Sequence, residues 1–198
     1  MDNITLSRRS VSVHRGEANL LALVISIAVV AIMVISVMNF GANISDSNGI
    51  QAEYSNGTAV ISNARARLKT DGIYDFSGAA DMTGTLIQFG GAPGGMKIDG
   101  NKTSGTATLR NSFGGTVTLA PATSSGSAKS AFTLTYNGIP YEACTQLATS
   151  MSSAPSIITT SINGTANNGT VSAANAGKQC TANSGSTGQN TLAFTTNN

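Results

Sequence analysis

Histidine, tryptophan and cysteine are almost missing from this chain of 198 residues: there is 1 His, no Trp, and 2 Cys. Two cysteines cannot build a four-cysteine zinc site. Aromatic residues make up 5% and charged residues 10% of the chain, against roughly 25% charged in an ordinary soluble domain. Such a surface resists association only weakly. The formal net charge of +2 is too small for the concentrated basic patch of a nucleic-acid binder, so no nucleic-acid partner is expected. What fills the space instead is Ser, Thr, Asn, Ala and 22 Gly.

The single His14 lies in a polar leader, MDNITLSRRSVSVHRG, together with Arg8, Arg9 and Arg15. Without residues 1–16, eight basic and eight acidic residues remain, and no histidine. Nucleophilic devices that need an imidazole base are then excluded. Carboxylate or lysine catalysis is not excluded by that count, but the remaining acids form no cluster or motif. The chain therefore does not read as an enzyme, and neither a metal nor a cofactor is expected. The loop GGAPGG at 90–95 has the glycine spacing of a phosphate loop, but Met96 follows it and Lys97 precedes Ile98, so the pattern fails.

Behind the leader comes one long apolar run. Leu20 to Met38 is broken only by Ser26 and Ser36 and carries no charge. At 1.5 Å per residue it spans about 28 Å, close to the hydrocarbon thickness of a bilayer. It is longer than a secretory signal core, and the residues after it do not resemble a signal-peptidase site. A membrane helix with the basic leader inside follows, and a simple one-span anchor is one reading of it. Past it, Ile50, Tyr54, Gly57, Ile61, Ala64 and Leu68 recur every three or four residues, the stripe of one helix face. Gln51, Glu53, Ser55, Asn63, Arg65 and Arg67 read as its solvated face. One helix is expected from about residue 18 to about residue 69, weakened at Gly41, Gly49 and Gly57 and stopped at Asp71-Gly72.

Residues 72–110 read as a glycine-rich irregular stretch. Residues 114–120 and 131–137 alternate apolar and polar, the strand period, with PATSSGSAKS as a hairpin loop between them. Ile139-Pro140 opens a short helix over Tyr141 to Met151, with Cys144, Leu147, Ala148 and Met151 on one face. Ser156–Ile162 and Thr191–Thr195 read as strands, and Asn163–Gln189 as low-complexity loop. One long helix followed by a β-rich head is an α+β pattern. Cys144 and Cys180 form an even pair, which in an exported domain means a disulfide and in a cytosolic one two free thiols.

These features together resemble a type IV prepilin. The leader ends in Arg15-Gly16, an apolar helix follows, and a cysteine pair lies near the C-terminus. Asn63-Ala64-Arg65, Phe113-Gly114-Gly115-Thr116-Val117, Phe132-Thr133-Leu134-Thr135-Tyr136 and Ile139-Pro140 before Ala143-Cys144 and Leu147 look like the type IVb pilins of the PilS group, over nearly all of residues 15–162. The resemblance implies a type IV pilin fold: a long N-terminal α-helix, membrane-spanning in its first half, packed on an antiparallel sheet head with a disulfide-closed C-terminal region. It implies a leader at 1–16, an apolar helix at 17–42 and a globular head at 43–198.

A prepilin peptidase would cut after Gly16, and the new amino group of Glu17 would be a candidate for methylation. Leu20, Leu21, Leu23, Val24, Ile27, Val30, Ile32, Val34 and Ile35 would face other helices in the filament core. The implied partners are further copies of the chain, the peptidase, the inner-membrane assembly machinery, and a host or recipient-cell surface receptor. The subunit would pass from the inner membrane of a Gram-negative cell into an extracellular pilus serving adhesion, aggregation or conjugative mating. A minor pilin or secretion pseudopilin is the alternative. The chain departs from the family at the fifth mature position, where Leu21 stands in place of the usual Glu. Cleavage after Ser12 would make Glu17 fifth but would lose the glycine before the cut.

Overall fold

The computed structural model describes residues 49–184 and 188–197. The leader, the apolar run and every candidate residue from Gly16 to Ile35 lie outside them. Among the described residues, no helix is long and apolar enough to cross a membrane.

Helix α1 occupies residues 49–67, and the stripe read from the sequence is its buried side. Ile50, Ile61, Ala64 and Leu68 belong to the core, and Tyr54 packs against it. The helix runs unbroken through Gly57, which is there for space. A Cβ at that position would lie 2.8 Å from the Tyr136 hydroxyl and 2.9 Å from Met151 Cε. The chain reverses at Asp71-Gly72, where both residues have positive φ and Thr70 pairs with Ile73, so the expected stop is where the helix ends.

The head is a seven-stranded sheet in the order β1-β2-β3-β4-β7-β5-β6. Its strands are β1 (Lys97–Asp99), β2 (Thr108–Arg110), β3 (Thr116–Ser124), β4 (Ser127–Ile139), β5 (Ile157–Ile162), β6 (Thr165–Asn168) and β7 (Asn190–Thr196), and all pairs are antiparallel. Three further helices are α2 (Ala79–Gln88), α3 (Tyr141–Ser152) and α4 (Ala173–Gln179). Side chains alternate along the central strands. Val117, Leu119, Leu134, Tyr136, Leu192 and Phe194 are fully buried. Thr116, Thr118, Thr133, Thr135 and Thr195 between them are half-buried. Helix α1 lies on the buried side, with its Glu53 carbonyl near the Tyr136 hydroxyl of β4.

The structure departs from the sequence reading at four places. Residues 72–110 hold a helix, α2, docked by Thr83, whose hydroxyl takes the Leu119 N–H at 2.9 Å. The expected ten-residue hairpin loop shrinks to Ser125-Gly126, both at positive φ, because Ala122↔Ala131 and Pro121↔Phe132 continue the ladder. The stretch read as low-complexity loop contains β6 and α4. Glu53, assigned to the solvated face, is completely buried.

Candidate functional site: the disulfide-closed region and the helix that carries the head

Pro140 is the N-cap of α3, and its carbonyl accepts the Cys144 N–H at 2.8 Å. That start turns Cys144, Leu147, Ala148 and Met151 inward, as their spacing requires. Cys180 caps the end of α4. The two cysteines form a disulfide across 36 positions, with Cα atoms 6.1 Å apart, and no free thiol remains. Closing a loop of that length removes about 4 kcal/mol of unfolded-chain entropy in the loop-closure picture.

Inside the loop, Leu147, Met151, Ile157, Ile162, Val171 and Ala176 join the core, and amides hold the polar stretch after β5. Asn163-Gly164, both at positive φ, turn the chain from β5 into β6, the two-residue hairpin such a dipeptide favours. The Asn163 amide donates to Gln179 O at 2.9 Å and to Asn190 Oδ1 at 2.8 Å, and its oxygen takes the Thr191 N–H. Asn190 is fully buried. It accepts the Thr181 N–H at 2.6 Å and donates to the carbonyls of Ile139 and Thr181. Asn167 and Gln179 exchange two amide hydrogen bonds. Ser172 caps α4 by accepting from Asn175 N. Buried polar groups must be paired to avoid a desolvation cost, and this set is.

Helix α1 is tied to the head at two places within its described residues. In its first described turns, Glu53 Oε1 accepts the Ser112 N–H at 2.7 Å and the Ser112 hydroxyl at 2.6 Å. This fixes the 111–115 turn, which Asn111 also braces by accepting from Phe113 and Gly115. Burial, with the Glu53 charge beside it, holds the Tyr136 hydroxyl well above the usual phenol range, so that side chain stays neutral. Near the helix end, Arg65 Nη2 donates to Ser156 O at 3.3 Å, to Asn197 O at 3.1 Å and to the Asn197 side chain, joining α1 to the end of β7. Arg67 donates to Phe89 O at 2.9 Å, and Asn63 to Gly91 O at 2.9 Å, joining α1 to the end of α2.

The structure thus brings together Cys144 and Cys180 of the residues named from the sequence. Sequence reasoning missed Glu53, Asn190 and the Asn163 turn. Only the last had a readable signal, the Asn-Gly dipeptide after an apolar strand. Among the described residues, no group of three or more His, Cys, Asp or Glu could hold a metal ion.

A long helix laid on an antiparallel sheet, with a disulfide-closed C-terminal region, defines the class of pilin heads. Residues 47–197 match the family described as PilS N terminal. The chain is also similar to two solved structures. One is a crystal structure of type IVb pilin from Salmonella typhi, 40% identical, with a TM-score of 0.65, covering 74% of this chain and 98% of that one. The other is an NMR structure of type IVb pilin (PilS) from Salmonella typhi, 38% identical, with a TM-score of 0.51, covering 74% of this chain and 94% of that one. Among curated proteins, none matches. The chain belongs to the PilS family, and it is a structural subunit of the type IVb pilin kind.

Proposed function

We propose that this chain is made as a prepilin, cut after Gly16, and polymerised through its N-terminal helix into a thin type IVb filament. In this reading residues 1–16 are removed, 17–42 anchor the subunit in the inner membrane and later form the filament core, and 43–198 are the outward head. Glu17 becomes the amino terminus and the methylation site. The observation that carries the reading is the membership of residues 47–197 in the PilS family, directly behind an uncharged run from Leu20 to Met38.

The energetics agree. Apolar helices have little hydrophobic drive to associate while lipid surrounds them. Extracted from the bilayer, a helix of this length buries enough apolar surface against its neighbours to be worth tens of kcal/mol at about 25 cal/mol per Å2. Contacts that do not close then build a helical polymer. A chain without charge excess beyond its leader does not oppose that packing. Adhesion, aggregation and mating-pair stabilisation are the tasks such a filament would serve, through a receptor on a host or recipient cell. A minor or tip subunit is the second reading, favoured by Leu21 at the fifth mature position.

Electron microscopy of cells with and without the gene tests the choice. Long filaments that vanish with the gene support the major-subunit reading. Filaments that persist in reduced number support the minor one. A stable monomeric membrane protein with its leader intact contradicts both.

A further inference from the structure

Phe89 and a small cavity stand at opposite ends of the described part of α1. Phe89, just past α2, is 53% exposed, the most exposed large hydrophobic side chain among the described residues. It sits beside the end of α1, where Arg67 donates to its carbonyl. Arg67 itself is exposed and has no ion pair among the described residues.

At the other end of that described part, a cavity of about 130 Å3 is lined by Ile50, Phe113, Pro140, Ala143, Glu142 and Asn183. Ile50, Phe113, Pro140 and Ala143 give it apolar walls and Glu142 and Asn183 polar ones; Glu142 is exposed and likewise unpaired among the described residues. An apolar cavity of about 150 Å3 holds a benzene ring, so this one is of the size to take much of a phenyl side chain. From Ile50 to Arg67 the helix rises about 26 Å.

We propose that Phe89 of one copy enters this cavity on a second copy, with Arg67 of the first against Glu142 of the second. The occupant is a second copy because the socket is of the size of the knob and the exposed charges beside them, Arg67 and Glu142, are opposite. Their displacement along α1 makes the contact head-to-tail, so it repeats without closing. An exposed aromatic anchor entering a pocket, with a charge pair at the rim, is the arrangement in which a few side chains dominate an interface. The proposal rests on the filament reading and specifies which head surfaces meet in it.

The test uses the full chain in cells that make filaments. Arg67→Glu and Glu142→Arg should each lower sheared-filament yield by roughly tenfold through like-charge contact, and the double reversal should restore it. Yield is normalised to the subunit level in the membrane, because Arg67→Glu also removes its bond to Phe89 O. A photo-crosslinking benzoylphenylalanine placed at Phe89 should join, on irradiation of filaments, to peptides containing Ile50, Phe113 or Pro140–Ala143 of another copy. Cross-links to other surfaces or to another protein, or failure of the double reversal to restore yield, would overturn the proposal while leaving the filament reading standing. Absence of filaments from the parent chain overturns the filament reading itself.

Discussion

Strands β3 and β4 meet α1 and α2 across an apolar layer that includes Val117, Leu119, Phe132, Leu134 and Met82. The segment from β5 to Cys180 is held differently, by a disulfide and by the amides of Asn163, Asn167, Gln179 and Asn190. The first region is fixed by its own hydrophobic burial and tolerates little change of volume. The second buries a smaller apolar set, Ile157, Ile162, Val171 and Ala176, and adds to it a covalent tie and paired amides. Charge divides the same way. After Glu142 the sequence contains no acid, and Lys178 is the only charged residue. The first region carries Asp75–Lys129 and the Asp99 pairs with Lys97 and Arg110.

The contrast gives an ordered set of expectations. Phe132→Ala removes a fully buried ring that packs edge-on against Tyr74 at 5.0 Å. It should cost about 3–5 kcal/mol, read as a large fall in the denaturant midpoint of the whole head. Cys144→Ser with Cys180→Ser should cost about 2–4 kcal/mol. Hydrogen exchange should rise first between β5 and α4, with β3 and β4 still protected, and piliation should fall. Filaments of normal number and stability without the bridge would contradict this account of the region. Asn190→Ala leaves the Thr181 N–H and the Ile139 carbonyl without their partner and should cost about 1–3 kcal/mol, again local to the disulfide-closed side.

The smallest effect is that of pH. Its hydrogen bonds to Arg110 and Lys97 hold the Asp99 carboxyl below the usual range, and bonds from Ser77 do the same for Asp81. A carboxyl lowered in the folded state adds stability that is present above its unfolded pKa of about 3.9 and disappears as pH falls through the folded value. Asp81 is exposed and Asp99 half-buried at the surface, where solvent screens such interactions, so the loss should be slight. It should appear below about pH 4 as faster amide exchange near β1, β2 and the start of α2. The segment after Glu142, without acids, should show no such step.

The same contrast sets how far the sequence could be read. The α1 stripe, the strands around Val117–Leu119 and Phe132–Tyr136, and the α3 face with Cys144 were legible because apolar periodicity carries them. Helix α2 was hidden because Gly78, Gly84 and the glycines after it read as loop, although Met82 and Leu86 are a helical turn apart. Strand β6 and α4 were hidden because their stability comes from amide pairing and the disulfide, which leave no hydrophobic pattern. Glu53 was placed on the wet side because charge alone suggested it. Its partner Ser112 lies 59 positions away, beyond any local signal. Pro121 and Ser124 read as loop because their ladder is set by pairing with β4 rather than by their own propensity.

Mass determination of the amino-terminal peptide from sheared filaments tests the central claim most directly. The account predicts a subunit beginning at Glu17, with or without one methyl group, and carrying the Cys144–Cys180 bridge. Filaments that lack this chain, or a chain that still begins at Met1, would contradict it.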